Sequence, residues 1–244
     1  MLYRDYFKEI RGLLDKVEET QGQAIEDSAK LIADSIKSGG VLHVFGCGHS
    51  QMYAMEVFYR AGGLVPVNAI LTPALSLEPA APLSTQGERQ VGLAKAILDN
   101  ENINENDTLF IVSVSGRNAV PVEMAMEAKE RGLKIITLTS YDFSKNVTSR
   151  HESGKKTYEL ADVILDNCGI VGDAIMEIEG LEPKFGPTSS VIGFAILQSV
   201  MVQVVENLVK DGVKPPIWVS SNLDKGDDIN KEYIQKYKNR IGCL

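Results

Sequence analysis

Two short segments, Gly46-Cys47-Gly48-His49-Ser50 and Ser113-Val114-Ser115-Gly116, combine glycine with hydroxyl side chains, and each stands between an apolar run and a helical pattern. That combination suits an anion. Backbone N–H groups at the start of a helix lack intrahelical acceptors and lie at the positive end of the helix dipole, so a phosphate placed there needs no lysine. Glycine lets the backbone come close, and serine hydroxyls donate further hydrogen bonds. Two such loops imply one phosphorylated ligand held from two sides, with Gly48, Ser50, Ser113, Ser115, Gly116 and Asn118 as its contacts. Thr188 and Ser189, after Gly186-Pro187, read equally well as a helix cap or as further contacts to that ligand.

The elements that must position these loops follow from periodicity. Val41 to Phe45, Leu64 to Leu71, Leu109 to Val112, Lys134 to Leu138 and Asp162 to Leu165 read as five strands, the first and third nearly continuous apolar runs of the kind buried on both faces. Helical patterns alternate with them at 50–61, 91–98 and 120–131, and a long one spans 189–209. The spacing predicts two helices before the first strand. Leu2, Phe7, Ile10, Leu13, Leu14 and Val17 mark one, and Thr20 with Gln23 resembles a capping box that starts a second. Residues 74–87, with Pro79, Pro82 and Gly87, read as loop. Strand and helix in alternation mean right-handed βαβ units and a doubly wound sheet.

The net charge of −8 argues against a nucleic-acid partner, and 44% hydrophobic with 24% charged residues is the balance of a soluble globular chain. Met1 to Glu9 is no signal peptide, and no window reads as a membrane span, so a cytoplasmic location without membrane partners is expected. Cys47, Cys168 and Cys243 are odd in number and far apart, which fits a reducing compartment. His, Cys and carboxylate spacings match no closed metal site.

With the loops placed, the chain resembles the sugar isomerase (SIS) domain family over roughly 25–212. The segments Val41-Leu42-His43-Val44-Phe45-Gly46-Cys47-Gly48-His49-Ser50 and Leu109-Phe110-Ile111-Val112-Ser113-Val114-Ser115-Gly116-Arg117-Asn118 carry the resemblance. It implies a flavodoxin-like, five-stranded parallel α/β sheet in which the two strands are neighbours, and a phosphosugar clasped by Ser50, Ser113 and Ser115. It also implies pairing with further copies as a homodimer or homotetramer, to which the apolar stripe of the first helix would contribute. Phosphoheptose isomerases of the family place a glutamate ten residues past the first loop's serine, where this chain has Arg60, and a histidine on the last long helix, where it has none. Etherases of the family share that glutamate.

If the chain isomerises an aldose to a ketose, it therefore needs another base, and a carboxylate with raised pKa or a histidine suits the task. Glu88 comes first and Glu78 second, because both flank the irregular stretch before the third strand, and His49 lies within the first loop. A solvated surface role is the plain alternative for each carboxylate. His43 reads as a core residue, His151 as surface, and Cys47 as a small apolar filler. The expected organisation is a helical segment 1–38, a SIS phosphosugar-binding domain 39–212 and a tail 213–244 with a final helix. A phosphosugar isomerase without cofactor is the expected function; a phosphosugar lyase or etherase, or a non-catalytic phosphosugar sensor, is the alternative.

Overall fold

A computed structural model describes all 244 residues. Five parallel strands, β1 (Leu42–Gly46), β2 (Val67–Ile70), β3 (Thr108–Val112), β4 (Lys134–Thr139) and β5 (Val163–Asp166), lie in the order β2-β1-β3-β4-β5. The loops after β1 and β3 are thus adjacent, with Phe45 beside Ile111 and Gly46 beside Val112. The chain leaves β1 toward one edge and returns through β3 toward the other, so the strand order reverses between them. Open α/β sheets bind ligands at that point.

Alternation along the strands sorts the core into two layers. Leu42, Val44, Phe110, Val112, Ile136 and Leu138 face one way and pack under α1 (Leu2–Lys37), α2 (Gln51–Val57) and α7 (Ser189–Lys210). Phe45, Leu109, Ile111 and Ile135 face the other way, against α4 (Leu93–Asp99) and α5 (Ala119–Glu130). Both faces are covered, which is why β1 and β3 carry no exposed residue.

The amino-terminal segment is one helix of 36 residues, not two. Thr20 does not cap anything: its hydroxyl donates to the carbonyl of Lys16 one turn back, at 2.7 Å. Ile10, Leu13 and Val17 continue into Ala29, Ile32 and Ala33 as one buried stripe against α7, and that shared burial overrides the local start signal. Leu2 and Phe7 remain exposed.

Three further elements lie outside the expected pattern. Residues 74–87 contain α3 (Ala81–Gly87), and α6 (Tyr141–Lys145) follows β4. A hairpin of β6 (Met176–Ile178) and β7 (Leu181–Phe185) turns at Gly180 between β5 and α7. The tail is tied to the sheet layer. Ile217 bridges Leu64, Trp218 is buried, and α8 (Gly226–Tyr237) follows. Helix α7 is long and apolar enough to cross a membrane by length and composition, contrary to the expectation from sequence, but Ile192, Ile196, Val200 and Val204 are fully buried in this core.

Candidate functional site

At the carboxyl ends of β1 and β3 a cleft of about 250 Å³ opens between the two loops. Cys47 and Ser50 line it from the first, Ser113, Ser115 and Asn118 from the second, and Glu88, Phe143 and Asp173 close it. A second recess of about 280 Å³ shares Ser50, Val114 and Asp173 with it and continues past His49 and Tyr53 to Ser189 and Ser190.

The glycines shape these loops through space as much as through dihedral freedom. A Cβ on Gly46 would lie 2.3 Å from the Ser50 carbonyl, so only glycine lets the first loop fold back on the strand. Gly116 has φ +60°, and a Cβ there would meet the hydroxyls of Thr157 at 2.7 Å and Ser144 at 2.9 Å. Its N–H donates to Ser113 Oγ at 3.2 Å, which holds the second loop in a tight turn before α5.

Glu88 ends α3 and is half-buried at the cleft wall. Burial pushes its carboxyl above the usual glutamate range, and the Asn118 amide and the charges of Arg89 and Arg150 pull the other way without cancelling it. A carboxyl so raised sits nearer neutrality, where proton transfer in both directions is efficient. Cys47 beside it is no nucleophile: burial, then the charge of Glu88, pushes its thiol well above the usual range.

The start of α7 already faces an anion. Asp173 Oδ1 accepts from the N–H groups of Thr188 and Ser189 and from Thr188 Oγ1, and its Oδ2 accepts from Ser189 Oγ. Asp173 holds φ +52° to reach there. The donors that sequence reading offered to the ligand are engaged by this carboxylate, while Ser189 also lines the second recess. Tyr53 of α2 donates to the Ser189 carbonyl at 2.7 Å and packs on Gly193, where any Cβ would overlap its ring. That contact fixes α7 against the first loop.

Of the remaining candidates, His49 is exposed and lines the second recess. Glu78 is exposed and lines neither. Arg60 lies beyond the end of α2, which stops at Val57, and pairs with Glu56, itself bonded by Gln198 of α7. Position 60 therefore does not stand on a helix facing the cleft. His43 is a buried core residue. His151, expected at the surface, is buried with its Nε2 3.4 Å from Glu123 Oε1. Asp173 and Phe143 carry no local signal; only the tertiary fold brings them to the cleft, as it brings His151 to Glu123.

A larger groove of about 730 Å³ runs between α1 and α7. Its walls are largely interlocked pairs, Lys30–Asp34, Lys37–Asp34, Lys37–Asp211 and Lys210–Glu206, with Asp27 held by Gln23 and Glu26 alone among its charged groups outside these contacts.

The fold is an open, doubly wound parallel α/β domain with a cleft where its strand order reverses, and the sequence places it in a family: residues 5–140 match the SIS domain, and the chain belongs to that family. It is 40% identical to a UPF0309 protein of Geobacillus thermodenitrificans over 98% of this chain and 96% of that one. It is 45% identical to a UPF0309 protein of Halalkalibacterium halodurans over 96% and 97%. Among solved structures it is similar to a phosphoheptose isomerase from Francisella tularensis (TM-score 0.56, 16% identity, 84% of this chain and 96% of that one). The phosphoheptose isomerase GmhA from Neisseria gonorrhoeae is comparable (TM-score 0.55, 17% identity, 86% and 97%). The match to the family begins at residue 5, inside α1, and ends at residue 140, so it takes in most of α1 together with β1 to β4.

Proposed function

We propose that the cleft binds a sugar phosphate and that Glu88 moves a proton on it, making the chain an aldose–ketose isomerase. The observation that carries this reading is the position of Glu88: a half-buried carboxyl with raised pKa faces Ser50, Ser113 and Ser115 across one small cleft. The serine hydroxyls and the loop N–H groups around Gly48 and Gly116 hold the phosphate, and Asn118 completes that clasp. On the open-chain sugar, Glu88 takes the proton from C2 to give an enediol and returns it at C1. His49, on the continuing recess, exchanges the proton between the two sugar oxygens. The phosphoheptose isomerases that share the fold support the same class of ligand.

Ser50→Ala and Ser115→Ala each remove a donor to a charged group, so each weakens binding of the sugar phosphate by about 1–3 kcal/mol. Glu88→Gln keeps shape and removes basicity. Solvent deuterium then no longer enters C2 of the bound sugar, while phosphate affinity is retained. Exchange at the wild-type rate in Glu88→Gln rejects this base, and wild-type binding without any exchange replaces the isomerase by a phosphosugar sensor. The exposed apolar side chains Tyr3 and Phe7 of α1 and Val202 and Val209 of α7 support self-association. Light scattering checks it: a 26.7 kDa monomer at micromolar concentration contradicts it.

A further inference from the structure

Three arginines gather beside Glu88 and Asn118, two of the residues that line the cleft. Arg89 follows Glu88 directly. Arg117 precedes Asn118, and its carbonyl accepts from the N–H of Arg150 at 2.8 Å. Arg150 Nη1 donates to Asn118 Oδ1 at 2.9 Å, which brings its guanidinium to the residue that lines the cleft. Arg117 donates once, to Thr148, and its Nε is buried with no partner.

None of the three has a carboxylate within ion-pairing distance, in a chain with a net charge of −8. By contrast Arg60, Arg131 and Arg240 are each paired with a carboxylate. Burial and the positive charges of Arg117 and Arg89 push the Arg150 guanidinium below its ordinary value, and only Glu88 acts against them. Around Arg150 a single carboxylate, Glu88, stands against two further guanidiniums, which leaves an unbalanced positive cluster. Like charges held together without partners are costly unless a ligand neutralises them, and a guanidinium fork suits planar oxyanions.

We propose that Arg89, Arg117 and Arg150 form a second anion subsite at the mouth of the cleft, selecting a sugar phosphate that carries another anionic group, a carboxylate or a second phosphoryl group, at the end away from the phosphate clasp. This inference rests on the phosphosugar reading above. None of the three arginines is among the residues that line the cleft, so in this proposal the clasp holds one anion inside it and the arginines beside Glu88 and Asn118 meet the other.

Calorimetric titration of matched pairs tests it: fructose 6-phosphate against fructose 1,6-bisphosphate, and glucose 6-phosphate against 6-phosphogluconate. Wild type binds the doubly anionic member of at least one pair about ten-fold more tightly or better, and the pair that shows it identifies phosphoryl or carboxylate as the second group. In Arg117→Gln/Arg150→Gln that preference disappears while the monophosphate keeps its affinity within about two-fold. Arg89→Gln, at an exposed position without hydrogen bonds to the loops, reduces the preference without risk to the fold. Equal affinity within both pairs in wild type overturns the inference, and so does an equal loss for both members in the arginine variants, which would place these residues in the phosphate clasp. Binding that fails in Ser50→Ala/Ser115→Ala but ignores the arginines leaves the phosphosugar reading standing and removes the subsite. Binding that depends on the arginines but ignores the serines removes the phosphate clasp, and with it the subsite as proposed.

Discussion

The two ends of the same sheet treat polar groups in opposite ways. At the amino end, His43 of β1 bonds Asp107 through Nε2 and Asn68 of β2 through Nδ1, Asn68 reaches Glu101, and Arg240 from the tail donates to both oxygens of Asp107. Asp107 also accepts from the N–H groups of Val41 and Asn104. At the carboxyl end, Glu88, Ser50 and Ser115 open on a cleft with few internal partners. Partnered burial ties strands and tail together, whereas unpartnered burial keeps groups ready for something else. A histidine beside an aspartate would suggest catalysis by residue type, yet here it is the scaffold.

The strongest way to break that contrast is to empty the partnered end. Burial raises the Asp107 carboxyl, but His43 and the N–H groups of Asn104 and Val41 outweigh it and hold the pKa below the usual aspartate range. Asp107→Ala leaves His43 and Arg240 without their acceptor and lowers stability by about 3–5 kcal/mol in urea denaturation. Ligand affinity at permissive temperature is unchanged. A lowered folded pKa contributes stability above the unfolded value of about 3.9 that is lost as pH falls through the folded one. The gap between wild type and variant therefore narrows below about pH 4.

A smaller effect on stability and a larger one on binding come from Gly116→Ala. The positive φ and the approach of Thr157 and Ser144 cost about 1–3 kcal/mol, and the displaced turn abolishes phosphate binding, read by calorimetry. If Gly116→Ala binds normally, the second loop is not the clasp.

The smallest effect has the opposite sign. A carboxyl whose folded pKa is raised opposes folding above its unfolded value, about 4.3, and ceases to do so below it. Glu88→Gln therefore melts about 1 °C or more above wild type at pH 7, and the advantage disappears near pH 4. The reverse outcome would mean that Glu88 belongs to the scaffold, as Asp107 does.

The strands were legible because Val41 to Phe45 and Leu109 to Val112 are apolar without interruption and their turns carry glycine and serine. Adjacency of those strands came from resemblance, since order in a sheet is a long-range property. The continuity of α1 was hidden because Thr20 and Gln23 imitate a cap locally, and only the α7 face shows that the stripes before and after them are one. Asp173 was invisible for a related reason. A lone aspartate after Gly172 becomes a helix cap only when α7, fifteen residues on, is brought to it. His151 was misplaced because its partner, Glu123, belongs to α5.

The pairing of α1 with α7 also governs when the molecule can fold. Helix α1 ends at residue 37 and α7 begins at 189, so the stripe of Ile10, Val17, Ala29 and Ile32 finds its cover only after most of the chain has been synthesised. A loop of that length makes closure slow relative to the local βαβ steps between. Until α7 emerges, the first helix keeps an uncovered apolar face beside the sheet, prone to wrong partners. The last helix of the core is thus the one that commits the first.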